Sequence, residues 1–567
     1  MTRPSALHDR QSGLGPRAVA AALSAALLAG VVCGAPARAD DDDKLAAELK
    51  QDVILRAMVD ELDRSAKELK LPDLADPYFI EFAVQDGRVA QVAASFGALT
   101  SSAEVARRPA RVDVRVGSYE LDNTNFRDGW SFGGGSLPIE NDYTAIRQAL
   151  WWATDREYKQ VAETYARKKA FMEQKVIEDK PADFSHEEPV VSFEEPLAFD
   201  AHRAELEKIA IAASAVFREF PEVQEGDVQI QAGGGNGYLV NTEGTRLREH
   251  GSLFQLTASA RVQADDGMEL SDSISAAAEK FADFPSVDDI QSRCRELAQR
   301  LIRLKNAPRL EEAYAGPVLF DAQPAALMFG AHFSRRFAGG QRPVGARSDP
   351  EDFEKKIGKR ILPRSVTVVD DATQEKIDGK MVLAHYDHDD QGVPSRKVTL
   401  VEGGRLQRLV MSRNPSRIAD HSTGHGNGFF RPTASAACLI LTSDDAADSN
   451  ALRSELLEGA QDEDLNYGIR VASLSSFAPL EVYKVFPDGH EELVRGAEGL
   501  RLNLRAFKRI VAVGDKPFVL NVSGVQSSQT FAVPALLFEE LDVAPVDRDF
   551  DKPPLLPSPL ALMDKKK

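Results

Sequence analysis

The sequence has little of several features that define common classes of protein. It contains three cysteines in 567 residues, so it cannot build the dense disulfide framework of a small secreted scaffold. Acidic residues outnumber basic ones by 88 to 69, the net charge is −19, and no basic stripe stands out, which argues against a nucleic-acid partner. Beyond Cys33 there is no long apolar run, so the rest of the chain is expected to contain no membrane span.

Several catalytic motifs are also missing from the sequence. There is no Gly-x-Ser-x-Gly elbow of the kind that presents a serine nucleophile. There is neither a Gly-x-x-x-x-Gly-Lys-Ser/Thr phosphate loop nor a Gly-x-Gly-x-x-Gly turn after a strand. These absences disfavour serine hydrolases, P-loop nucleotidases and dinucleotide-dependent enzymes.

The first 39 residues have the order of a secretory signal peptide. Three arginines precede an apolar run from Ala18 to Cys33, and small residues follow at Ala37 and Ala39. We expect cleavage after Ala39 and a periplasmic or secreted protein; the alternative is a short membrane anchor. Cleavage removes four Arg and one Asp, so the net charge changes from −19 to −22.

The pattern of the remaining chain predicts an α+β protein with three regions, 44–180, 200–306 and 312–546, followed by a disordered tail, 553–567. Helices are predicted over 44–69, 142–175, 201–220 and 286–304. The acidic, proline-containing stretch 178–200 is interpreted as a linker or exposed loop, and the glycine run 233–237 as a hairpin turn. The third region is rich in predicted strands.

Two cysteines remain after signal cleavage, Cys294 and Cys438. Either they form one disulfide, or both are buried free thiols, and their apolar surroundings favour the second interpretation.

An ordered set of segments in the third region resembles the TldD/PmbA family. The segments 316–329, 361–371, 389–396, 401–406, 422–428 and 506–514 are similar to successive stretches of that family. The earlier segments 82–94 and 236–247 are similar to its opening strands and to one of its turns. The resemblance implies N-terminal helix and antiparallel-sheet domains followed by a β-rich C-terminal domain.

The resemblance also implies where a zinc site would lie. Active members of the family carry His-Glu-x-x-x-His on a helix, with two histidine ligands, a glutamate base and a late cysteine ligand. In this sequence the corresponding positions are Gly330, Ala331 and Arg335, and no cysteine follows Cys438. We therefore expect no catalytic residues at these positions, and no zinc or other cofactor bound there.

Other side chains in the third region are candidates for binding. His332, Arg335 and Arg336 would line the groove of the family, where arginine can bind a peptide carboxylate; a packing role for His332 and a solvated helix face for the arginines are the alternatives. The histidines 385, 388, 421 and 425 form an alternative metal cluster. The stretch around His385 and His388 also fits a solvated polar loop, and the acid pairs 370–371 and 389–390 fit surface turns.

Three functional hypotheses follow from these observations. The first is a non-catalytic exported protein that binds a peptide or forms a homo- or heterodimer with a TldD/PmbA-like subunit. The second is a metallopeptidase or other hydrolase with a rebuilt metal site. The third is a structural exported protein that keeps the fold.

Overall fold

A computed structural model describes residues 41–72, 74–127, 133–174, 180–346, 352–475, 477–500, 502–523, 528–548, 550–551 and 558–560. The predicted signal peptide, 1–39, and nearly all of the predicted tail, 553–567, lie outside these ranges.

The helices, in chain order, are α1 Asp41–Gln51, α2 Val53–Glu68, α3 Tyr143–Glu173, α4 Arg203–Ala215, α5 Val287–Asn306, α6 Ala322–Phe333, α7 Ser449–Asp462 and α8 Leu504–Lys508. The strands that precede α6 are β1 Pro77–Ser95, β2 Ala98–Arg107, β3 Pro109–Val116, β4 Gly133–Ser136, β5 Val191–Phe193, β6 Glu225–Asn241, β7 Arg246–Gln263, β8 Glu269–Ala278 and β9 Tyr314–Phe320. Those that follow it are β10 Val366–Asp370, β11 Lys376–Ile377, β12 Lys380–Met381, β13 Val398–Glu402, β14 Arg405–Leu406, β15 Gly426–Asn427, β16 Thr433–Ala434, β17 Cys438–Ser443, β18 Ala446–Ala447, β19 Gly468–Ser475, β20 Ala478–Val485, β21 Glu491–Val494, β22 Ala497–Glu498, β23 Ile510–Ser523 and β24 Ser528–Pro545.

The predicted helices are confirmed, with small shifts at their ends. The first is two helices, because Asp52 leaves the helical conformation and its carboxylate caps the second by accepting from the Leu55 amide. Asp142 and Ser286 cap α3 and α5 in the same way. Polar caps set the start of each helix, and apolar residues repeating every three to four positions set its buried face.

Strands from both N-terminal regions pair in one eight-stranded sheet with the order β4-β3-β1-β6-β7-β5. β2 adds to β1 and β8 adds to β7. β1 and β6 pair antiparallel without interruption from Glu81–Asn241 to Ser95–Asp227. The sheet covers two apolar cores, one with α2 and α3 and one with α4 and α5.

The glycine run 233–237 lies inside β6, so the hairpin turn predicted there is wrong. The glycines face the middle of β1, where a Cβ on Gly235 would lie 2.1 Å from the Asp86 carbonyl oxygen. They therefore serve close backbone approach in the centre of a sheet. The chain turns at 241–244, which joins β6 to β7.

The stretch predicted as a linker or exposed loop is partly buried, so that prediction is wrong for its described part. Asp183 and Phe184 are buried, and the Asp183 carboxylate lies 2.5 Å from the buried Lys168 ammonium of α3. Residues 191–193 pair parallel with β7. An internal ion pair, invisible in local composition, fixes this segment.

The C-terminal region is built on a twelve-stranded sheet whose main path is β14-β13-β10-β17-β24-β9-β19-β20-β21. β24 is central: it pairs with β9, β17, β22 and β23. α6 packs on this sheet over a large core that includes Phe320, Phe329, Phe333 and Phe531. β14 at the edge of this sheet is short, and its residues Arg405 and Leu406 pair with β13.

The α+β fold class and the β-rich C-terminal domain are confirmed. Among the described residues, no helix has the length and apolar character needed to cross a membrane.

Candidate functional site

Helix α6 carries the positions of the expected zinc motif, and aromatic residues hold it in place. Phe329 and Phe333, one turn apart, are fully buried with ring centroids 4.7 Å apart. Phe507 of α8 meets Phe333 edge-on at 5.0 Å. These contacts fix the rotation of α6 about its axis, and with it the direction of every side chain at its C-terminal end.

The first ligand position has no room for a side chain. A Cβ on Gly330 would lie 2.3, 2.4 and 2.6 Å from three ring carbons of Phe531 on β24. Ala331 is exposed and carries no carboxylate, and Arg335 lies beyond the end of α6 with a permanent positive charge. The residues at the motif positions do not fit zinc.

His332 lies beside these positions and packs against aromatic rings. Its ring centroid is 4.7 Å from that of Phe507 and 4.7 Å from that of Phe333. It is half-buried and does not line the cleft described next.

A cleft of about 790 Å³ opens beyond the end of α6. Arg335 and Arg336, predicted from the sequence to line a groove, both line it. Among the described residues that line it, six side chains are positive and two are negative: Lys180, Arg335, Arg336, Arg342, Lys355 and Arg417 against Asp352 and Glu354. A strongly positive cleft in a protein of net charge −19 is a local reversal of sign.

Three backbone hydrogen bonds hold the segment 338–344 that forms one wall. The Gly339 amide donates to the Val410 carbonyl at 2.8 Å, and the Gln341 amide donates to the Pro415 carbonyl at 3.1 Å. Further along, the Val344 amide donates to the Asn125 carbonyl at 2.6 Å. The wall is therefore tied both to the C-terminal region and to the N-terminal sheet.

The positive side chains differ in how far they are already compensated. Lys180 lies 2.8 Å from the Asp183 carboxylate. Arg342 and Lys355 share Asp352 at 3.8 and 3.4 Å, which are loose, partly solvated ion pairs. Arg335 and Arg417 are exposed, and within the described part of the chain neither guanidinium has an ion-pair or hydrogen-bond partner.

The alternative metal cluster does not assemble. His388 Nδ1 lies 2.6 Å from Glu249, His425 Nε2 lies 3.5 Å from Asp370, and His421 Nδ1 lies 3.7 Å from Glu187. His385 is buried separately. Over the described ranges, no three His, Cys, Asp or Glu side chains have an arrangement that would hold a metal ion.

Two of these histidines are held in polar pairs. Burial opposes the charged form of His388 most strongly, but the hydrogen bond to Glu249 and the negative charges around the ring together outweigh it and raise the pKa of the ring. Burial likewise opposes the charge on His425, and Asp370 raises its pKa. The Asp370 carboxylate also accepts from the amides of Ala437 and Cys438 at 2.9 Å, so this pair belongs to the structural core.

The acid pairs predicted as surface turns are not at the surface. Asp370, Asp371 and Asp389 are buried, so that interpretation is wrong, and the solvated-loop interpretation of 385–390 fails with it. Asp389 accepts from the amides of Gln391, Val393 and Gly426. Burial raises the pKa of Asp389 to about 7, even though these amides favour the carboxylate.

The sequence interpretation missed Lys180, Lys355 and Arg417 as members of the cleft. They come from three segments that are distant in sequence, and nothing local distinguishes them from solvated charges. The interpretation of Cys294 and Cys438 as buried free thiols is confirmed.

The C-terminal region is similar to a domain that is described from metallopeptidases. Residues 313–545 match the sequence model described as the PmbA/TldA metallopeptidase C-terminal domain. A metalloprotease from Methanocaldococcus jannaschii is 37% identical over 75 residues, which are 13% of this chain and 16% of that protein. The C-terminal region thus matches the TldD/PmbA family, as its motifs predicted.

Solved structures share the fold over most of the chain. A putative modulator of a DNA gyrase from Thermotoga maritima has a TM-score of 0.54 at 16% identity, covering 82% of this chain and 96% of that one. TldE from Thermococcus kodakarensis has a TM-score of 0.55 at 13% identity, covering 86% and 100%. A putative modulator of DNA gyrase from Bacteroides thetaiotaomicron has a TM-score of 0.55 at 11% identity, covering 86% and 98%.

Proposed function

We propose that this chain is a non-catalytic, exported protein of the TldD/PmbA type that binds a peptide in its cleft and works as one subunit of a dimer. The observation that carries the proposal is the contact between Gly330 and Phe531. An imidazole at position 330 would occupy the space of the Phe531 ring, so the first ligand is lost from the packing of the helix as well as from the sequence.

The other motif positions support the same conclusion. Zinc hydrolases need neutral or anionic ligands and a base that accepts a proton from bound water. Ala331 supplies no base, and the Arg335 guanidinium repels a cation. The positive side chains at this end of α6 are therefore suited to binding, and their natural ligands are the carboxylates of a peptide.

The subunit role rests on likeness to relatives. A neighbour of the same fold is TldE, and the chain spans its whole length. We infer that the chain pairs with a second copy or with a zinc-bearing TldD-like subunit outside the cytoplasm.

The test begins with metal analysis of the mature chain from Asp40 after zinc supplementation. We expect zinc at background level. About one zinc per chain, lost in the His385→Ala and His388→Ala variants, would overturn the non-catalytic assignment and favour a hydrolase with a rebuilt site.

The dimer is tested by light scattering of the chain alone and after co-expression with a zinc-bearing homologue. A dimer in either sample supports the subunit role. Monomers at all concentrations in both samples would refute it and favour a structural protein.

A further inference from the structure

The positive cleft beyond α6 is a built feature of the fold, and its charge identifies a class of ligand. We propose that it binds acidic peptides, with Arg335 and Arg417 as the two anchors for side-chain or terminal carboxylates. The inference rests on the proposed function as a peptide-binding protein and specifies the peptide.

Charge crowding is the first argument. Six cationic side chains of the described chain surround one space of about 790 Å³, and two acids on its walls, together with Asp183 beside Lys180, offset only part of their charge. Positive charges that line the same cleft repel each other, and a bound anion reduces that repulsion. The volume lies within the usual range for ligand sites of roughly 300–1,000 Å³.

Availability is the second argument. Arg335 and Arg417 are exposed and, over the described ranges, their guanidinium groups are not engaged by any acid. A guanidinium presents a planar fork of donors that matches a carboxylate. The loose pairs of Asp352 with Arg342 and Lys355 can exchange for a ligand carboxylate at little cost, because exposed ion pairs contribute little.

The wall of the cleft also offers a hydrogen-bond acceptor, which favours a peptide over a simple anion. Glu354, on the cleft wall, has a buried Oε1 that meets no hydrogen-bond donor among the described residues. A sulfate ion has no donor for this oxygen, whereas a peptide has an N–H at every residue other than proline. Phe353 adds an apolar surface beside it.

The experiment measures binding of a fluorescein-labelled peptide rich in glutamate to the mature chain by fluorescence anisotropy. The comparison ligand is the same peptide with every Glu replaced by Gln. We expect the acidic peptide to bind at least about tenfold more tightly, and its affinity to fall as salt is raised, because the charges are exposed.

Variants locate the binding. Arg335→Gln and Arg417→Gln should each weaken the acidic peptide by about tenfold, the loss of one charge-assisted hydrogen bond, and Arg335→Lys should fall between wild type and Arg335→Gln. Arg88→Gln is the matched control, since Arg88 is an exposed β1 residue paired only loosely with Glu104 at 3.5 Å. Circular dichroism establishes that each variant is folded.

The other outcomes separate this inference from the proposed function. Equal binding of both peptides, unaffected by the two arginine variants, would leave peptide binding intact and overturn the acidic cleft. Binding of a single-stranded oligonucleotide or inorganic phosphate with the same dependence on both arginines would overturn it in favour of a general anion site. No binding of either peptide would overturn the inference and the peptide-binding part of the function, while the metal analysis still decides the non-catalytic part.

Discussion

The contact between Gly330 and Phe531 makes a quantitative prediction for Gly330→Ala. The nearest ring carbon would lie 2.3 Å from the new Cβ, against the 3.4–4 Å of ordinary contact, so the ring must move by about 1 Å. Overpacking of this size costs roughly 2–3 kcal/mol. Replacing glycine within a helix returns about 1 kcal/mol. We therefore expect Gly330→Ala to lower the free energy of unfolding by roughly 1–2 kcal/mol.

Gly459→Ala is the matched control for this measurement. Gly459 lies in α7, and its Cβ would meet only the Pro317 ring at 3.5 Å, an ordinary contact. Gly459→Ala should therefore stabilise the protein by about 1 kcal/mol, which is the difference in helix propensity between glycine and alanine. In a Phe531→Leu background the penalty of Gly330→Ala should largely disappear, which would assign the cost to this one contact.

The assay is thermal or urea unfolding followed by circular dichroism. Tryptophan fluorescence is unsuitable, because the three tryptophans, Trp130, Trp151 and Trp152, all precede the C-terminal region. A 1–2 kcal/mol loss in a domain of this size lowers Tm by roughly 2–8 °C. If Gly330→Ala proves as stabilising as Gly459→Ala, the space at position 330 is open and the argument against a ligand there fails.

Three further predictions concern other parts of the chain. Glu157 is buried and its pKa is raised to about 8, first by desolvation and then by Asp113, so the folded state holds the extra proton between the unfolded and folded pKa values. The contribution of Glu157 to the free energy of unfolding therefore falls as pH rises from about 4.5 to 8. Glu157→Gln should become more stable than wild type across that pH range, by a few kcal/mol, in urea unfolding at several pH values. A difference in stability that does not change with pH would contradict this prediction. Burial raises the pKa of the Cys294 thiol to about 11 and that of Cys438 further, so neither should react with a thiol reagent at pH 8 until urea unfolds the protein; rapid labelling of the native chain would count against this. Arg248 holds Glu48 at 2.7 Å and Asp52 at 3.1 Å, so Arg248→Met should speed amide exchange in α1 and α2 while leaving α7 unchanged, and equal exchange in both would refute its anchoring role.

Local signals in the sequence predicted the helices well. Asp142 and Ser286 are polar caps before periodic apolar stretches, and each begins a helix as expected, whereas the start of a second helix at Asp52 was not predicted. The same local reasoning failed at the glycine run 233–237, because a strand partner far away in the chain decides whether glycines turn or continue.

Prediction of the site succeeded where it depended on the identity of single residues. It failed where it depended on which distant residues come together in the folded chain. Gly330, Ala331 and Arg335 could be recognised as unfit for zinc from their side chains alone. The cleft needed tertiary structure, since Lys180, Lys355 and Arg417 meet Arg335 only after folding. The burial of Asp389 could not be predicted either, because one of its amide partners, Gly426, is distant in the sequence and the others belong to its own turn.

The uninterrupted pairing of β1 with β6 has a consequence for biosynthesis. On one edge β1 can pair early with its sequence neighbours β2 and β3, but its other edge must wait for β6, far along the chain. Until residues 225–241 have been made, the nascent polypeptide exposes an unpaired strand edge from Glu81 to Ser95, a template for mispairing. A molecular chaperone that covers this edge would prevent the most mispairing while residues up to Asn241 are still being synthesised.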